Sequence, residues 1–332
     1  MDLQYGENQF FCVKQYNLTD GRAKGVHCID VDLGDLEFTV IADRCLDIGS
    51  VKFCGSQIAF LSKNGVVSPT FYDSKDYGWL ESFGGGLVVT CGLHNVGDPC
   101  TFQGKNHGLH GRISNIPAET VTVSKQQTDR GMKITVSGRV CETSLFGYHY
   151  ELNRSIFATT GGSRITMRDR IINNADIPMP LMLLYHINFG YPLINPKACL
   201  KIPGSMSVEP FDENAADGLS TWDKFRTPDP GVPEEVFLHT IEKTPDGAGH
   251  FSLRDNVESP RICVDVNYSS DTLPYLGLWK SLRPGEYAVG LEPCNNHIRG
   301  VSYEHKNGTL QWLEPGKKID TWLEFNFISS KI

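Results

Sequence analysis

The chain has 332 residues, 40% apolar and 21% charged, with a formal net charge of -8. That is ordinary globular composition, long enough to bury one large core or two moderate ones. The acidic balance argues against a nucleic-acid partner, which asks for a basic face, and no apolar run approaches the roughly 20 residues that a membrane helix needs.

The N-terminus, Met1-Asp2-Leu3-Gln4-Tyr5-Gly6-Glu7, lacks the basic and apolar regions of a signal peptide, so a cytoplasmic protein is expected. The ten cysteines are scattered without a CxxC pair, which fits free, buried thiols better than structural zinc or disulfides.

In chain order, Thr19-Asp20-Gly21 is the first strong turn signal. Gly84-Gly85-Gly86-Leu87 follows. It has no Gly-Lys-Ser/Thr behind it and no helical pattern after it, so it predicts a tight backbone crossing rather than a phosphate loop. Asn106-His107-Gly108-Leu109-His110-Gly111-Arg112 reads as a loop or bulge in which Gly108 and Gly111 let backbone approach a ligand. His107 and His110 suit the binding of sugar hydroxyls, or metal ligation were His94 and a carboxylate to complete a shell.

Strand patterns then dominate. Met132, Ile134 and Val136 alternate with polar residues, as do Ile165, Met167 and Ile171, then Ile262, Val264 and Val266, then Leu323, Phe325 and Phe327. Turn signals separate the runs: Thr160-Gly161-Gly162, Arg283-Pro284-Gly285, Lys306-Asn307-Gly308 and Glu314-Pro315-Gly316. Residues 212–235, rich in Pro, Asp and Gly, predict a long surface excursion of the kind that can cover a site. Short helices are expected only near Ser220–Phe225 and Glu234–Thr240. The whole predicts one large antiparallel β-sandwich over residues 1–332, without an internal repeat.

Two segments carry polar residues where apolar ones are expected. Leu181-Met182-Leu183-Leu184-Tyr185-His186-Ile187-Asn188-Phe189 holds a histidine in a dry run. Its imidazole, with a reference pKa of roughly 6.5, suits acid or base work near neutrality, although a core histidine bonded to backbone carbonyls fits as well. Tyr287-Ala288-Val289-Gly290-Leu291-Glu292-Pro293 holds a carboxylate at a strand end that opens into a polar loop. Glu292 is a candidate general base, or a residue neutralised by an arginine such as Arg299. Trp79, Trp222, Trp279, Tyr185 and Tyr287 could offer stacking faces to a sugar or simply fill a core.

The ordered set of Ala42-Asp43-Arg44-Cys45-Leu46-Asp47-Ile48-Gly49, Gly84 through Gly97, His107 through Arg112, Tyr185 through Gly190 and Gly290 through Pro293 resembles the aldose 1-epimerase (galactose mutarotase-like) superfamily. Within it the chain is most similar to the DUF4432 branch. The resemblance covers most of the chain and implies an all-β, galactose mutarotase-like β-supersandwich with few short helices. It also implies interconversion of the anomers of a free sugar, with His186 as acid and Glu292 as base. It implies His110 in substrate binding, with His107 competing for that role, and Arg44 as the substrate arginine. Asn95, Arg112, Tyr185, Asn188 and Trp279 complete the expected substrate-binding set. The family's substrate-binding aspartate has no clear counterpart, Asp223 being a guess.

No cofactor and no metal are expected. The expected partners are a small-molecule carbohydrate and, at most, a second copy of the chain in a homodimer. A related sugar isomerase or lyase, metal-assisted at His94, His107 or His110, and a non-catalytic carbohydrate-binding protein are the competing readings.

Overall fold

Alternating burial organises the molecule. In the strand Gly131–Thr143, Met132, Ile134 and Val136 are buried while Lys133, Thr135 and Ser137 are only partly so. The same period governs Arg164–Asn173 and Lys318–Ser330. All of these belong to one eight-stranded antiparallel sheet. The structure is a computed structural model and describes residues 6, 9–256 and 261–330. Most of the N-terminal stretch Met1–Glu7, expected to lack a signal peptide, lies outside the described residues.

The eight-stranded sheet runs in the order 199–201, 248–254, 261–269, 318–330, 164–173, 149–159, 131–143, 119–128. A seven-stranded sheet runs in the order 205–210, 235–241, 275–283, 286–294, 179–190, 311–313, with 88–93 pairing against 179–190. A five-stranded sheet, formed by residues 12–57, and the hairpin 100–107 complete the β-structure.

The strand Met179–Gly190 is buried at every position. Its odd residues, Leu181, Leu183, Tyr185, Ile187 and Phe189, enter the main core. Met182 and Leu184 instead join a second apolar cluster with Trp79, Phe83, Val89, Cys91, Ala288 and Cys294. The uninterrupted apolar run thus reflects a strand covered on both faces, where period-two alternation vanishes from the sequence.

A buried ion network ties the layers together. Arg154 bridges Asp47 and Asp169, its Nη2 lying 2.6 Å from Asp169 Oδ2. Thr90 Oγ1 donates to Asp47 at 2.6 Å.

Two local expectations are corrected. Glu235–Ile241 is a strand, not a helix, because it pairs on both sides, with Ser205–Pro210 and Tyr275–Arg283; sheet pairing overrides local propensity. The helical turns of the 212–235 excursion lie at Glu213–Gly218 and Leu219–Thr221, the second overlapping the expected Ser220–Phe225 and the first preceding it. Ala215, Phe225 and Trp222 fold back onto the main core, so this part of the excursion caps the sandwich.

Candidate active site

The strands Met179–Gly190 and Glu286–Cys294 are antiparallel, with Ile187 opposite Leu291 and Asn188 opposite Gly290. That register makes His186 and Glu292 cross-strand neighbours on the outer face of the seven-stranded sheet. His186 Nε2 lies 3.0 Å from Glu292 Oε1, and both side chains are almost fully buried. The approach is not aligned as a hydrogen bond. Glu292 Oε1, His186 Nδ1 and Asn188 Oδ1 have no hydrogen-bond partner among the described residues. Three such buried polar atoms on one face are costly unless something completes them.

Glycines make the room. A Cβ on Gly290 would stand 2.6 Å from Glu292 Oε1 and 3.0 Å from His186 Cε1. One on Gly277, which pairs with Glu292, would stand 3.0 Å from Glu292 Oε2.

Aromatic walls ring the imidazole, with centroids 5.2 Å away for Phe83, 5.6 Å for Trp279 and 6.1 Å for Trp79. The wall excludes water, and desolvation disfavours both charged forms. Burial pushes His186 down to about 4. Burial, then the charge of Glu234, pushes Glu292 up to about 8. Both directions favour an uncharged pair that shares one proton near neutral pH.

His110 joins this pair, its ring 5.9 Å from that of His186 and 4.7 Å from that of Trp79. Its backbone is left-handed at φ 56°, followed by Gly111 at φ 71°. A Cβ at Gly111 would meet Gly92 O at 2.2 Å, which is why glycine stands there. The Gly97 N–H donates to His110 Nδ1 at 3.4 Å, so a neutral His110 carries its proton on Nε2 as a hydrogen-bond donor. Burial, then the neighbouring His186, pushes its imidazole down to about 3. Trp279 stands at the rim, its Nε1 donating to Glu234 Oε2 at 2.9 Å.

Other expected residues lie elsewhere. Arg44 is buried, and its guanidinium donates to the carbonyls of Ser114, Val67 and Ser82, so it braces backbone instead of facing the pair. Asn95 donates to the Gly108 and Asp98 carbonyls and accepts from Val301 N, joining two loops to the start of the helix Val301–Lys306. Tyr185 has the wrong parity. It points into the main core and donates to Asp169 Oδ2 at 2.6 Å. Asn188 shares the His186 face but is tethered through Nδ2 to the Gly86 and His186 carbonyls, leaving only Oδ1 toward the pair.

His107 lies beside His94, their rings 6.0 Å apart, with Arg112 near Tyr148, whereas His110 lies beside His186. Among the described residues no three His, Cys, Asp or Glu side chains gather as a metal-binding set.

Asp223 pairs with Lys224 beside the core-capping turn. The carboxylate near Glu292 is Glu234, an exposed residue just before a strand that carries no distinguishing sequence signal.

The architecture is that of a galactose mutarotase-like β-supersandwich. A candidate aldose 1-epimerase from Klebsiella pneumoniae subsp. pneumoniae MGH 78578 superposes with a TM-score of 0.90 at 26% identity, over 96% of this chain and 83% of that one. A galactose mutarotase-like protein from Clostridium acetobutylicum shares the fold at TM-score 0.62 and 16% identity, over 97% of this chain and 100% of its own. A candidate aldose 1-epimerase from Escherichia coli K12 does so at TM-score 0.59 and 12% identity, over 96% of this chain and 100% of its own. The chain belongs to the family described as a domain of unknown function, DUF4432, whose pattern matches residues 23–327. No curated protein matches it.

Proposed function

We propose that the protein is an enzyme that interconverts the anomers of a free sugar by acid–base ring opening, as an aldose 1-epimerase does. The observation that carries this reading is the buried His186–Glu292 contact at 3.0 Å, with Glu292 Oε1 unpartnered among the described residues. The pair holds one proton. A sugar whose anomeric hydroxyl donates to Glu292 and whose ring oxygen accepts from His186 draws that proton onto the imidazole.

Glu292 then takes the hydroxyl proton while His186 protonates the ring oxygen, and the carbon–oxygen bond of the ring breaks. The aldehyde turns about its bond to the next carbon, and closure reverses both transfers. One proton is taken and one returned, so a pair holding a single proton suffices in either direction. His110 offers an Nε2 donor to a substrate oxygen, Trp279 an apolar face and Glu234 an acceptor for a remote hydroxyl.

The test is polarimetry, or saturation-transfer NMR of anomer exchange, across a panel of monosaccharides. Glu292→Gln and His186→Asn are each expected to slow exchange by about 10²–10⁴-fold with the fold intact. Wild-type rates in both variants would remove the proposal.

A further inference from the structure

A second polar centre lies at the end of the sandwich. His94 follows the strand Val88–Leu93, in which Val89 pairs with His186. His94 lies five residues on from Val89 (89 to 94), a stretch that spans at most about 17 Å at roughly 3.3 Å per residue. His94 Nδ1 lies 3.2 Å from Glu142 Oε1, with side chains 11% and 3% exposed. Tyr148 and Tyr150 stand edge-on to the imidazole at 4.2 and 4.8 Å, and the His107 ring is 6.0 Å away. Lys105 Nζ sits 5.8 Å from the Tyr148 ring centre, and Arg112 reaches the Tyr148 hydroxyl; both cations are exposed.

Two atoms of this group, His94 Nε2 and Glu142 Oε2, are buried without a hydrogen-bond partner among the described residues. With the Nδ1 proton directed at Glu142, a neutral His94 presents Nε2 as an acceptor, so both atoms ask for donors. A fully ionised anion has no hydrogen to give them. A bare cation would sit beside Lys105 and Arg112. Two neighbouring hydroxyls can give one hydrogen to each acceptor and offer their lone pairs to the cations.

We propose that His94, Glu142 and Arg112 form a second binding site for a hydroxyl-rich ligand, a free sugar or one unit of a longer saccharide, distinct from the His186–Glu292 pair. The site stands whether or not the first pair is an anomerase.

The test follows the His94 and His107 Cε1–H resonances of the full chain by NMR as D-glucose, D-galactose or D-mannose is added. At least one sugar is expected to shift both resonances saturably. The shift should persist in a His186→Asn, Glu292→Gln double variant. Affinity should fall about 10-fold or more in Glu142→Gln and in Arg112→Gln, since each removes a hydrogen bond to a charged group. Arg112 is exposed, so its variant reports even if the buried Glu142→Gln unfolds. Resonances that no sugar moves, shifts lost in the double variant, or undiminished affinity in Arg112→Gln would each overturn the assignment. So would zinc chloride alone titrating the two resonances at one ion per chain, which would make the pair a metal site.

Discussion

His186 and Glu292 meet across one strand pair with 3.0 Å between Nε2 and Oε1, yet their titrations are driven apart, the imidazole downward and the carboxyl upward. Water excluded by Phe83, Trp79 and Trp279 drives both, because a dry site penalises imidazolium and carboxylate alike.

The pH profile of anomer exchange follows from this. Below about 4 both groups are protonated and no base remains; above about 8 both have lost their protons and no acid remains. The expected kcat/KM profile is a broad bell with limbs near those values, read as properties of the pair. A profile limited by a single group titrating near 6.5 would contradict the coupled site.

Glu234→Gln keeps an acceptor for the Trp279 indole but removes a negative charge that raises the Glu292 pKa. A like charge disfavours ionisation, so its loss lowers that pKa. The alkaline limb should move to lower pH, and KM should rise if Glu234 also receives a sugar hydroxyl. An unmoved limb would mean that the charge of Glu234 does not reach the site.

Gly290→Ala places a methyl 2.6 Å from Glu292 Oε1 and 3.0 Å from His186 Cε1. The pair must part, and misplacement on the scale of 1 Å costs about 10²-fold in rate. Activity should therefore collapse while the thermal midpoint moves far less than in a core variant. A fully active alanine variant would show that the geometry of the contact is dispensable.

Arg154→Met leaves the buried carboxylates Asp47 and Asp169 without their shared cation, which should lower stability by about 3–5 kcal/mol in urea unfolding. Tyr185→Phe removes one hydrogen bond to Asp169, and the expected loss is about 1–3 kcal/mol with anomer exchange unchanged. A Tyr185→Phe variant that loses activity at unchanged stability would put that hydroxyl back in the site.

Much was legible in the sequence. The alternation through Ile134, Ile165, Val264 and Phe325 predicts the sheets, because a half-buried strand must repeat every two residues. A histidine amid Leu184 and Ile187, and a glutamate after Gly290, are visible as polar residues in dry surroundings. What the chain order hides is parity and distance. Met179–Gly190 is covered on both faces, so nothing local tells that His186 faces the pocket while Tyr185 faces the core.

Arg44 carries the family's motif, yet three carbonyls that converge on it only after folding take up its guanidinium. Glu234 is an unremarked surface residue until the sheet carries it toward Glu292. His94 and Glu142, 48 positions apart, meet only where two sheets end. Composition and periodicity therefore determined that this chain is a β-sandwich with a few polar residues set in dry strands. The register between strands distant in sequence decided which of those residues share a pocket, because only backbone pairing converts sequence separation into ångströms.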